Sequence, residues 1–380
     1  VPTQKESVKA KSMVIPIKLS FIDNNGLKIA KDEILILNKK KQKFKFSGFK
    51  EKPIPVYLSD FSAPIKLEIN HSLDYHISIM NSTSDSYCIW DSAQKIYLKL
   101  AEDIINGVNS DINLDEISNN LLSRFNSNPG FLAKLLIPPS EEDISVHLLK
   151  SFNYIIPENI YDAREKINQI IAVSFKNNLL DLYNQIGVIS DEFNKKNTGL
   201  RLLKNRYLEL IMLSENDKDI LINAFKNSTN MTEILNSLKL LVKINSEKIA
   251  LASFYETWKK NPLLIDKWFS IQAIFTPSNN IFKTIDKLSI HPDFNFKNPN
   301  RFRSLIGSFA FNNHVAFHSK DGSGYKIVSN WIKKMDKLNP QIAARLSTAF
   351  ETMNRIEPKR KLLMKTFLKD IRYSKNLSKD

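Results

Sequence analysis

The stretch "NMTEILNSLKLLVKI", residues 230–244, decides the fold class. It opens as a capping box: Asn230 can accept from the free amides of a first helical turn, and Glu233 can reach back from three residues on. The same grammar continues outward. Ile89, Ala93, Ile96, Tyr97 and Leu100 recur at spacings of three and four, as do Leu179, Leu182, Tyr183 and Ile186. That is the period of helices with one buried face. Ser140 followed by Glu141, Glu142 and Asp143 sets acids against the positive end of another helix. Glycine numbers only 9 in 380 residues, as expected where helices are joined by short polar turns.

One local device repeats. Asn261-Pro262, Asn298-Pro299 and Asn339-Pro340 each precede a helical pattern, at separations of 37 and 41 residues. Asparagine caps exposed amides, and proline at the first helical position loses no hydrogen bond. The separations approach the length of a helical-hairpin repeat, yet the intervening sequences differ. The expectation is a stack of antiparallel helix pairs, a right-handed superhelix whose concave face is the place to look for function.

Upstream of Asn70 the pattern is β. "MVIPIKLSF" (13–21), "EILILN" (33–38), "QKFKFS" (42–47), "PVYLS" (55–59) and "IKLEI" (65–69) are short and rich in branched residues. Lys43-Phe44-Lys45-Phe46 alternates cleanly, which predicts a strand with both phenylalanines inward. Asn24-Asn25-Gly26 predicts the turn between the first two strands. The chain is therefore expected to be mainly α with a small N-terminal all-β domain. An incomplete Ig-like β-sandwich over 1–71, short of the usual seven strands by one hairpin, precedes an α-helical superhelix over 72–380.

Composition narrows the function classes. At 42% hydrophobic and 10% aromatic the chain can fill packed cores, and no apolar run is long enough to cross a bilayer. A polar N-terminus without an initiator Met suggests a chain cut from something longer, and a single cysteine, Cys88, fits the cytoplasm. The net charge of +15 comes from 45 lysines and only 10 arginines, spread along the chain. Scattered lysine solubilises, whereas nucleic-acid interfaces lean on clustered arginine, so neither nucleic acid nor membrane is an expected partner.

"NNHVAFHSKDGSGY" (312–325) imitates a zinc site, with His314 and His318 four residues apart. A zinc peptidase helix also needs a glutamate after the first histidine, and here that position is Val315. Asp321 is the only further ligand on offer. The expectation is instead that Phe317 and His318 pack a helix end against the turn at Gly322-Ser323-Gly324. His71, His76, His147 and His291 lie far apart, and Cys88 has no partner histidine in sequence. No catalytic residue and no metal ligand is predicted.

The arginines are the candidates that remain. Arg301 and Arg303 follow Asn298-Pro299, and Arg345 follows Asn339-Pro340. A guanidinium grips a carboxylate with two parallel bonds, and such a group either binds a ligand or ties helices together. Residues alone favour the tie.

"NPNRFRSLIGSFAFNNHVAFHSKDGSGY" (298–325) and "NPQIAAR" (339–345) resemble the C-terminal region of the bacterial aminopeptidase N family, zinc metallopeptidases. The likeness extends back through "NPLLIDKWFSIQA", "NMTEIL", "WDSAQ" and "FSAPIKLEIN". It implies a chain that begins inside the family's β-sandwich, stops short of a last helix, and lacks the thermolysin-like catalytic domain. The family's H-E-x-x-H zinc helix, its distal glutamate, its tyrosine and its G-x-M-E-N motif have no counterpart here. This chain would then bind no cofactor of its own, the zinc residing in the missing domain. That domain and small peptides are the implied partners, and Arg303, Gln341 and Arg345 the implied substrate-binding residues, with Arg301 left as an interhelix tie. The implied function is to shape the chamber, gate access and hold the peptide beyond the scissile bond. The alternative is a stand-alone helical-repeat module that binds protein or peptide.

Overall fold

The computed structural model describes residues 13–69, 71–110, 112, 114–125, 127–175, 178–215, 217–374 and 377–378. Three strands form the N-terminal sheet: β1 (Ile15–Ile22), β2 (Glu33–Leu37) and β3 (Ile54–Tyr57). β1 is central and antiparallel to both neighbours, pairing Ile17 with Leu35 and Phe21 with Pro55. Pro55 fits because β3 is an edge strand, where a missing N–H costs no ladder bond. Asp23 Oδ1 accepts from the amides of Asn25 (2.9 Å) and Leu27 (2.8 Å), fixing the expected turn.

Two of the five expected strands do not form. β1 already has a strand on each side, and residues 43–47 find no ladder among the described residues. Phe46 meets the ring of Phe21 at 5.0 Å, lying on the sheet instead of extending it. Residues 65–69 alternate half-buried and exposed as a strand would, and Ile65 and Leu67 pack with Ile17, Leu58 and Ala63. They too carry no ladder among the described residues. Alternation reports which face is buried and says nothing about whether a pairing partner is present.

Helices follow: α1 (Leu73–Ser82), α2 (Ser86–Asn106), α3 (Leu114–Phe125), α4 (Pro129–Leu135), α5 (Glu141–Leu148), α6 (Pro157–Ser174) and α7 (Leu179–Ile186). Next come α8 (Lys195–Glu215), α9 (Lys218–Asn227), α10 (Met231–Lys243), α11 (Lys248–Trp258), α12 (Pro262–Phe275) and α13 (Ile281–Ser289). The last are α14 (Pro299–Phe302), a π turn (Arg303–Gly307), α15 (Ser308–Asn312), α16 (His314–Phe317), α17 (Ser323–Asp336), α18 (Pro340–Ser347), a 3-10 segment (Thr348–Asn354) and α19 (Pro358–Arg372).

The caps read from sequence are in place. Asn261, Asn298 and Asn339 each accept amide hydrogen bonds at the starts of α12, α14 and α18, with proline at the first turn. Asn128-Pro129 opens α4 in the same way, a fourth instance that the sequence reading did not pick out. Asn230 caps α10 as expected, but Glu233 reaches its side-chain amide (2.6 Å). The same carboxylate also holds Lys204 of α8 at 3.1 Å.

Two apolar cores run through the helices. One gathers Ile89, Ile96, Leu132, Ile167 and Tyr207 from α2 to α8; the other gathers Phe254, Phe269, Phe309, Phe317 and Tyr325 from α8 to α19. Each fully buried aromatic contributes roughly 1.5–3 kcal/mol through area removed from water. The superhelix curls until the start of α6 meets the start of α19, where Ile155 and Ile356 form a parallel bridge. Among the described residues no helix is long and apolar enough to cross a membrane.

Candidate functional site

The histidine turn is structural. Asn313 caps α16, which ends at Phe317, and His318 turns into the core at 4% exposure. Its Nδ1 lies 2.7 Å from Tyr325 Oη. Burial, with the neighbouring His314 and Arg360, pushes His318 down to about 3, so the ring is neutral. Gly324 is obligatory because a Cβ there would stand 2.3 Å from the Phe317 carbonyl and 2.5 Å from that of Ala316. His314 instead acts on Glu141 of α5, a carboxyl that also feels Arg164 and Glu165 of α6 and Lys243 of α10. Among the described residues no three His, Cys, Asp or Glu side chains are grouped to hold a metal ion. Among the described residues, His314, His318 and Asp321 are not brought together as a zinc-binding set.

Arg301 and Arg303 have opposite fates two positions apart, as helical geometry requires of i and i+2. Arg301 is 9% exposed: it donates to Asp266 (2.5 Å) and to the carbonyls of Asp293 (2.7 Å) and Pro262 (3.3 Å), over the ring of Phe269. It ties α12, the loop after α13 and α14. Arg303 is exposed, and its guanidinium makes no hydrogen bond or ion pair among the described residues.

Arg303 also begins the π turn, a feature with no local signature in the residues. The Arg303 carbonyl accepts the amide of Ser308, five residues on, and the Ser308 hydroxyl at 3.3 Å. One residue is thereby fitted in excess of α-helical spacing, an arrangement common at functional sites. Phe311, at the end of this run, carries Arg345 of α18 over its ring at 5.9 Å. Gln341 stands one turn before Arg345, and both are exposed. The structure thus joins Arg345 to the Arg303 helix through Phe311, which sequence reading missed because an aromatic at helical spacing looks like core.

A large cleft lies elsewhere. About 1180 Å³ opens between residues 61–69 and helices α2 and α5, and none of Arg303, Gln341 and Arg345 lines it. Several of its polar side chains meet within its walls: Lys150 with Glu68 (2.8 Å), Lys95 with Asp91 (2.7 Å), His147 with Glu102 (3.5 Å). Lys66 and Asp143 line it without an ion-pair partner among the described residues.

With this geometry in hand, comparisons place the chain. A relative from Haemophilus influenzae named Aminopeptidase N is 30% identical over 394 residues, covering all of this chain and 45% of the relative. Proteins of the same name from Escherichia coli K12 and Caulobacter vibrioides are each 28% identical, over 45% and 42% of their lengths. The chain thus spans less than half the length of the curated relatives it matches. A crystal structure of Legionella pneumophila aminopeptidase A in complex with aspartic acid superposes with a TM-score of 0.84 at 29% identity, over 95% of this chain and 43% of that one. Residues 1–70 match the model described as "Domain of unknown function (DUF3458) Ig-like fold". Across residues 74–380, most of its length, the chain belongs to the family described as "Domain of unknown function (DUF3458_C) ARM repeats".

Proposed function

We propose that this chain is the non-catalytic C-terminal portion of a zinc-dependent aminopeptidase N, which releases N-terminal residues from peptides in the cytoplasm. The supporting observation is its alignment, end to end, with 45% of relatives of that name. In this reading residues 1–71 are a partial sandwich and 72–380 the superhelical domain. Zinc supplies Lewis-acid chemistry from the thermolysin-like portion outside this chain. The residues here bind, orient and exclude water.

Arg303 and Arg345 are the groups we assign to the peptide beyond the scissile bond. Both are exposed and lack a carboxylate partner among the described residues. A guanidinium lying on an aromatic face keeps its edge N–H donors free, so Phe311 leaves Arg345 able to grip a peptide carboxylate. Gln341 adds an amide one turn away.

In the full-length enzyme, Arg345→Gln should raise KM for tripeptides with a free C-terminus about 10-fold, roughly 1.4 kcal/mol. It should leave KM for their amidated forms and kcat unchanged. Equal effects on both peptide forms would exclude the assignment. The purified chain should hydrolyse no alanyl-anilide substrate and retain no stoichiometric zinc; chelator-sensitive turnover would overturn the reading. The family's ARM-repeat description supports a second reading, a stand-alone binding module. A monodisperse chain with a polar rim would favour that module; self-association through an exposed apolar patch would favour the peptidase portion.

A further inference from the structure

The superhelix is closed on itself by polar groups around an apolar pair, Ile155, which packs against both apolar cores, and Ile356, which is buried. Ile155 N–H donates to the Arg355 carbonyl (2.8 Å), and Glu357 N–H donates to the Ile155 carbonyl (3.2 Å). Beside this bridge Arg360, 2% exposed, donates to Glu357 and to Glu158 of α6, 202 positions away. Arg355 reaches Glu142 of α5 at 2.5 Å. Farther along, α6 touches α16, and Glu141 of α5 feels the charges of His314, Arg164 and Glu165.

Elsewhere along the arc apolar cores carry most of the joining, with polar ties such as Lys204–Glu233 and Arg301–Asp266 among them. Successive helices share apolar cores, with Phe269, Phe302 and Phe309 at or below 1% exposure. Parting them exposes apolar surface at about 25 cal/mol per Å². At the seam, by contrast, Glu158 Oε2, Glu357 Oε2 and Arg360 Nε are buried without hydrogen-bond partners among the described residues. A half-satisfied ion cluster regains hydration when it opens, which offsets much of its Coulomb attraction. The seam is the least costly place to part the ring. Tyr183, Leu213 and Ile220 pack against both apolar cores, as Ile155 does at the seam itself, and α7 to α9 supply a hinge across from it.

We propose that residues 155–158 and 355–360 form a latch that holds the superhelix closed, and that the ring opens at this seam while its helix pairs stay packed. The inference does not rest on the peptidase reading.

Hydrogen exchange on the whole chain tests it. The amides of Ile155 and Glu357 should share one opening rate, at least 30-fold faster than that of Phe269 in α12, and insensitive to low urea. Glu158→Gln should speed both seam amides about 10-fold and leave α12 unchanged. An Ile155→Cys/Ile356→Cys cross-link should slow both. If either variant fails to fold, the wild-type rates decide. Unequal rates at the two seam amides, which frayed ends would give, overturn the latch. So does exchange in step with α12 under urea.

Discussion

Tyr325 Oη stands 2.7 Å from His318 Nδ1, and both side chains are sealed in the core where α16 abuts α17. Their burial fixes the sign of a pH effect. Burial holds His318 near 3 in the folded chain, against about 6.5 when unfolded, so unfolding takes up a proton in between. Its stability contribution is complete above about pH 6.5 and is lost as pH falls toward 3. From pH 7 to 5 the loss should reach about 2 kcal/mol. His76, held near 4 by burial, adds in the same direction. Urea midpoints at the two pH values check this, and His318→Gln should flatten the difference.

Gly324→Ala places a Cβ against two backbone carbonyls that cannot move aside. We expect a loss of about 2–3 kcal/mol in thermal or urea unfolding. Gly107→Ala is the control: its Cβ meets nothing within 4 Å, and the penalty is the left-handed backbone alone, about 1 kcal/mol.

Arg301→Gln and Arg303→Gln should separate sharply. The first strands Asp266 half-buried and empties three hydrogen bonds, costing about 2–3 kcal/mol. The second removes an exposed group and should change stability by less than about 0.5 kcal/mol. Denaturant unfolding of the two variants measures the contrast, and similar losses would place Arg303 among the helix ties.

Asn261→Ala removes the acceptor shared by the amides of Leu263 (3.1 Å) and Leu264 (3.3 Å). A loss of about 1 kcal/mol is expected, with the proline retained. Asn261→Asp should recover most of it, as read by the unfolding midpoint.

Helix starts were legible because a cap is a local transaction: Asn339 and its proline sit within three residues of the amides they serve. The strand at Phe44 and Phe46 was misread because a ladder needs a partner that local alternation cannot reveal. Arg301 and Arg303 share one local sequence, and only the direction of the helix face tells them apart. The meeting of Glu158 with Arg360 was invisible, since nothing in either neighbourhood marks a contact 202 positions away. The π turn left no trace either, because its residues, Arg303 to Gly307, are ordinary helix formers ending in one glycine.

That turn carries a consequence for insertions and deletions. Removing one residue between Arg303 and Gly307 would restore ordinary winding instead of breaking the helix. The turns on either side would keep their facing, because the bulge already takes up the extra residue, whereas the same deletion in a regular helix would swing everything upstream by about 100°. Arg301 would stay on Asp266 and Phe311 under Arg345, so here the chain can lose a residue without turning its arginines.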